Sequence, residues 1–347
     1  MTRAWQVGRG AQLCGYRPPV KRRRIPLVIP VMIILLAVGT VLFRQTPEEV
    51  VPAALQVTAA PVPAERKYVL PSNVLAGYPA GETTYTVSFT QQRLMAGMML
   101  LVDEHHPVPD TLSPVTAGIL QRSGGRVSCR DTRAVLAPEA IDALDEMFRY
   151  ARYARHNTLV VFAASRSEEQ QRSALIDRMT ALSRNMSFEA ALAQAKQEIE
   201  VPGCSEHQLP WSVDIRICGT WNALPAQEPL SASEAGQWVL AHCHEYGFVQ
   251  RYPGAETDSH RAYHFRYVGR GHAAMMHALG LPMEAYLLLL REYGVLTLLD
   301  DAGQPAVTVI ASAMTPGRDT RMTLPLHGDT ECVSSDNDGW ALAACLY

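Results

Sequence analysis

Three stretches of the chain hold residue types that can do chemistry together. In Ser205-Glu-His207-Gln-Leu-Pro-Trp-Ser-Val-Asp214 an imidazole and a carboxylate have six residues between them. A second imidazole lies in Arg261-Ala-Tyr-His264-Phe-Arg-Tyr-Val-Gly269. Two imidazoles and one carboxylate are the donor set of a three-ligand zinc site that keeps one position open for water. Such an ion lowers the pKa of its water toward neutrality and polarises a carbonyl. The spacing is also compatible with His207 and His264 being ordinary polar side chains in loops. The third stretch, Ala164-Ser165-Arg166-Ser167-Glu-Glu-Gln-Gln171, follows an apolar run. An arginine there can present its planar fork to a carboxylate. Alternatively, Ser165 or Ser167 is a helix N-cap and Arg166 an exposed neighbour.

The elements that must position these residues are legible in patterning. Tyr85–Thr90 and Gly97–Val102 read as short strands, and Thr158–Phe162 as a buried one by its β-branched content. Ile141, Leu144, Met147, Phe148 and Ala151 follow helical spacing behind Pro138, which suits a first turn. Residues 168–200 are helical in composition. Val213–Ile217 alternates like a strand, and Ser233 to Tyr246 opens with an N-cap and closes at Gly247. Residues 248–252 and 263–268 read as strands and Met283–Tyr293 as a final helix. Helices and strands mix without regular βαβ alternation, so the expected class is α+β and not a doubly wound sheet.

With 31 Lys+Arg against 34 Asp+Glu the net charge is −3, which excludes a strongly basic nucleic-acid binder and a highly charged disordered chain. Locally the charge is uneven. Lys21-Arg22-Arg23-Arg24 precedes an uncharged apolar run, Ile25–Phe43, whose nineteen residues span ~28 Å as a helix, about one hydrocarbon core. The cations predict a cytoplasmic N-terminus and an exported C-terminal domain on a single-pass membrane anchor. A cleaved signal peptide is the alternative. Prolines scattered over residues 44–84 predict an extended stalk. Of the seven cysteines, Cys14 falls inside the cell in this topology; Cys332 and Cys345 are candidates for closing a small loop by a disulfide.

Taken together and in order, the motifs SRSEEQQ, PGCSEHQLPWSVDI, EYGFVQRYP and YHFRYVGRGHA resemble the VanY-type D-alanyl-D-alanine carboxypeptidases. These are zinc peptidases of the lysostaphin, D-Ala-D-Ala and hedgehog group. The resemblance runs from about residue 100 to 293. It implies a small antiparallel sheet with flanking helices over residues 85–295, leaving residues 296–347 as a small β-rich appendage. It further implies Zn2+ held by His207, Asp214 and His264, and Arg166 on the substrate carboxylate, with Ser167, Gln171 and Ser205 as polar contacts. The implied reaction removes the terminal D-alanine of a peptidoglycan stem peptide by attack of zinc-bound water. One departure stands out: where the family has its catalytic glutamate, this chain has Arg261. A guanidinium does not deprotonate and cannot serve as a base. Glu256, Asp258 and His260 lie just upstream as candidate substitutes, His260 on the face of His264 if the strand is regular. Two functions follow: a membrane-anchored zinc carboxypeptidase with a displaced base, or a catalytically degenerate relative that binds zinc and cell-wall peptide as a sensor or recruiting module.

Overall fold

A computed structural model describes residues 68–218, 229–254 and 260–347 of the protein. The expected basic tail (1–24), the apolar run 25–43 and most of the stalk lie outside the described residues. Among the described residues no single helix is long and apolar enough to cross a membrane.

In chain order the main elements are β1 (Val74–Ala76), β2 (Thr84–Phe89), α1 (Pro138–Tyr153), β3 (Leu159–Ala163), α2 (Glu168–Leu182), α3 (Phe188–Glu198), β4 (Ser212–Ile217), α4 (Glu234–His242), β5 (Phe248–Gln250) and β6 (His264–Tyr267). They continue with α5 (Arg270–Leu279), α6 (Met283–Tyr293), β7 (Val295–Leu299), β8 (Pro305–Ala313), β9 (Thr320–Pro325), β10 (Asp329–Ser335) and β11 (Trp340–Leu346). The site sheet is four antiparallel strands in the order β3-β4-β6-β5. Helix α1 starts with Pro138 at its first turn and buries Ile141, Leu144, Met147, Phe148 and Ala151. That stripe packs with Val213, Ile215, Phe265 and Tyr267 from one face of the sheet into a single apolar cluster. Because strand side chains alternate with period two, the other face of the same strands is released for polar groups. Gly247, at φ +82°, ends the 3-10 turn that follows α4; a Cβ there would lie 2.7 Å from the Tyr267 ring, so only glycine turns the chain into β5 here.

Several expectations are corrected. Residues 97–102 form no strand: Met98 and Leu100 give their carbonyls to the Arg266 guanidinium, and Leu101 N–H donates to Asp336, so the backbone is satisfied without a ladder. Residues 168–200 are two helices, each capped by a serine, Ser167 and Ser187. Arg270–Leu279 is a helix that patterning did not single out. The stalk does not reach residue 84: Val74–Ala76 pairs with β7, and β2 pairs with β9. The C-terminal strands are likewise no separate appendage. They form a five-stranded sheet, β1-β7-β8-β11-β10, whose one face shares an apolar cluster with α5 and α6. Cys332 lies in that cluster and Cys345 in the cluster on the opposite face, and both are free thiols.

Candidate active site

The site is built where β4 and β6 run side by side. Their register sets Asp214 directly opposite His264 and Ser212 opposite Arg266, all four on the face turned away from the apolar cluster. His264 Nδ1 is 2.8 Å from Asp214 Oδ1. The third member arrives from a 3-10 turn, Glu206–Gln208, whose N-cap Ser205 accepts the His207 amide. The entry to β4 is pinned by Trp211, whose indole donates to Glu139 Oε1 at 2.8 Å, and by Pro210, whose carbonyl accepts the Ala137 amide.

His207 Nδ1 lies 3.0 Å from the Ala164 carbonyl. That oxygen can only accept, so Nδ1 carries the hydrogen and Nε2 presents its lone pair. His207 Nε2 is buried without a hydrogen-bond partner, 3.3 Å from Asp214 Oδ1. One donor atom from each of His207, Asp214 and His264 falls within 4.8 Å of the others, and all three residues are buried. Ligand bonds of about 2.0–2.2 Å in tetrahedral arrangement put donors roughly 3.4 Å apart, and His207 Nε2 and Asp214 Oδ1 are 3.3 Å apart. The orphaned Nε2 and the mixed N, N, O set therefore fit a divalent ion.

Electrostatics tie the trio to a second buried group that sequence reasoning passed over, Glu206, fully buried between Ser205 and His207. Its carboxylate accepts from Ser212 Oγ at 2.9 Å, Arg251 Nε at 3.1 Å and Arg266 Nη1 at 2.6 Å, and lies 3.8 Å from His264 Nε2. Burial opposes its charge, yet Arg266 and Arg251 hold its pKa well below the ordinary value. Burial likewise disfavours an imidazolium at His264, but Asp214 and Glu206 outweigh it and raise that pKa to about 9. The signal for Glu206 was present in the alternation of β6: His264 and Arg266 share a face, and a buried arginine needs an anion.

Arg166 sits beside the trio through its backbone, its N–H donating to the His207 carbonyl at 2.7 Å. Its guanidinium Nη1 donates to Gln171 Oε1 at 3.0 Å, so the arginine and glutamine expected to meet substrate meet each other here. Ser167 is the N-cap of α2 in a full capping box with Gln170. Ser205 Oγ donates to Glu200 Oε2 at 2.7 Å. Arg261 is exposed on a 3-10 turn, His260–Tyr263, its guanidinium carbon 5.1 Å from the Tyr252 ring centroid. That turn also corrects the expectation for His260, since no strand geometry relates it to His264. Glu256 and Asp258 lie outside the described residues.

A family model described as VanY, D-alanyl-D-alanine carboxypeptidase, matches residues 133–270, a span that contains every one of these site residues. Over those residues the chain is similar to the VanY-type family. A D-alanyl-D-alanine carboxypeptidase of Enterococcus faecalis is 29% identical over 196 residues, covering 54% of this chain and 65% of that protein. The chain thus spans less than two thirds of that relative's length. Among solved structures, the vancomycin-resistance D,D-dipeptidase VanXYg, in complex with a D-Ala-D-Ala phosphinate analogue, aligns with TM-score 0.59 at 18% identity over 76% of this chain and all of that one, a likeness of fold. A vancomycin-resistance D,D-pentapeptidase VanY solved with Zn(II) aligns at 24% identity over 55% of this chain and 98% of that one, with TM-score 0.44.

Proposed function

We propose that the protein is a membrane-anchored, exported zinc carboxypeptidase that removes the terminal D-alanine from peptidoglycan stem peptides. The observation that carries the reading is the buried trio of His207, Asp214 and His264 with an unpartnered Nε2 at its centre. Bound there, zinc supplies a Lewis acid that polarises the scissile carbonyl and makes water acidic. The chain's own residues do the rest. The Ala164 carbonyl fixes the His207 tautomer, and the Glu206 carboxylate lies 3.8 Å from His264 Nε2. Arg166, held by Gln171, presents a charged donor for the terminal carboxylate of the substrate, with Ser205 nearby as a polar contact. The basic segment 21–24 and apolar run 25–43 support anchoring with the peptidase outside the cell.

Arg261 gives specific support to a second reading, a relative that binds zinc and stem peptide without hydrolysis, because an exposed guanidinium stands where the family has its base. Zinc content and D-alanine release from a pentapeptide, measured for the wild type and Arg261→Glu, separate them. One zinc per chain with D-alanine release by the wild type supports the enzyme. Zinc binding with release only from the variant supports the binding module. Absence of zinc from both refutes either reading.

A further inference from the structure

Peptide hydrolysis needs a group that takes a proton from the attacking water and returns it to the leaving amine, and Arg261 cannot be that group. Among the described residues another carboxylate is tied by hydrogen bonds to the turn that carries His207. Glu200 ends the segment after α3 and is half-buried. Its Oε2 accepts from Ser205 Oγ at 2.7 Å, and the same Ser205 Oγ accepts the His207 amide at 3.2 Å, so two hydrogen bonds separate this carboxylate from a metal-ligating residue. Its main-chain carbonyl accepts from Gln171 Nε2 at 2.7 Å, while Gln171 Oε1 accepts from Arg166. Glu200 is therefore the junction between the Arg166–Gln171 pair and the Ser205–His207 turn.

The carboxylate also faces open space. Glu200, Tyr252, Arg251 and Arg261 line one cavity of about 230 Å³. Tyr252, on the wall of that cavity, has its ring centroid 5.8 Å from that of His264. At the inner wall Arg251 Nη1 is buried and has no hydrogen-bond partner, an unmet donor of the kind an entering polar group satisfies. Glu206 is the nearer carboxylate to His264, but both of its oxygens are already taken by Arg251, Arg266 and Ser212.

We propose that Glu200 is the catalytic carboxylate of this chain, standing in for the one absent at position 261. The proposal rests on the peptidase reading above. In the step it describes, water gives a proton to the Glu200 carboxylate as its oxygen bonds to the scissile carbonyl carbon. The C–N bond then breaks and the same proton passes to the leaving nitrogen. The products are free D-alanine and a shortened peptide, and Glu200 returns to its ionised form.

The test compares wild type with Glu200→Gln, whose amide oxygen still accepts from Ser205. The measurements are zinc per chain, calorimetric binding of D-Ala-D-Ala, and kcat and KM for D-alanine release from a pentapeptide. The expected result is a kcat lower by about 10²–10⁴-fold with zinc content, dipeptide affinity and KM unchanged. A variant that turns over at the wild-type rate overturns the proposal, as does one whose zinc is lost along with its activity. A wild type that is silent while Arg261→Glu is active overturns it too, but leaves the substrate reading standing. Failure of every form to bind zinc and dipeptide refutes the peptidase reading itself.

Discussion

Replacing Glu206 by glutamine is the sharpest probe of the buried charge cluster under the site. The wild-type carboxylate neutralises two arginines, one at each end. Arg251 keeps a second partner, Glu284 at 2.6 Å, whose side chain is 54% exposed. Arg266 is fully buried and keeps only the carbonyls of Met98 and Leu100, at 2.8 and 3.2 Å. Glu206→Gln therefore leaves one guanidinium in the core without a counter-charge, and breaking a buried pair in that way costs roughly 3–5 kcal/mol. For a unit of this size about 2 °C is lost per kcal/mol, a drop of about 6–10 °C in Tm. Calorimetry of metal-free protein near neutral pH reads it. The double variant Glu206→Gln/Arg266→Met removes both charges together and should lose less than the sum of the single changes, because no buried ion is then left alone. The carboxylate also lies 3.8 Å from His264 Nε2, and its loss should weaken zinc binding by about 10–100-fold. Acid dependence supplies a further check. The folded pKa of Glu206 lies below its ordinary 4.5, so its contribution is present above that value and is lost on acidification. A Glu206→Gln protein within about 0.5 kcal/mol of wild type, or an additive double variant, would refute the reasoning.

Other outcomes follow from the same structure. His264 has its pKa raised from 6.5 to about 9 in the metal-free site, so zinc must displace a proton there. Apparent zinc affinity should weaken by about tenfold per unit of pH below that value. With the metal stripped, the His264 contribution to stability is full below pH 6.5 and disappears as pH rises through about 9, which thermal scans against His264→Ala resolve. Gly236→Ala should destabilise by about 1–3 kcal/mol, because its Cβ would sit 1.9 Å from the Leu230 carbonyl oxygen, a backbone atom with no rotamer to change; urea melts measure this. Cys332 and Cys345 should alkylate to the same extent with and without reductant after unfolding, since their side chains enter clusters on opposite faces of one sheet.

Local pattern decided much of this protein. The apolar stripe of α1, the Pro138 start, the Ser233 cap, the Gly247 stop and the alternation of β4 and β6 each depend on neighbours within a few residues, and all are found where patterning sets them. The four ordered motifs also named the residues that converge, because a metal site needs particular donor types and those types were visible. The tertiary structure decided what required knowing which distant segments meet. Only the β4–β6 register makes Asp214 and His264 a cross-strand pair across fifty positions of sequence. Only burial turns Glu206 from a polar residue in a motif into the counter-ion of two arginines, and only the tertiary structure shows that Glu200 accepts a hydrogen bond from Ser205. The same limit explains the misread strand at 97–102 and the supposed stalk up to 84. A strand is completed by its partner's backbone, which no single segment contains; 97–102 gives its carbonyls to Arg266, whereas Val74–Ala76 finds a ladder more than two hundred residues away.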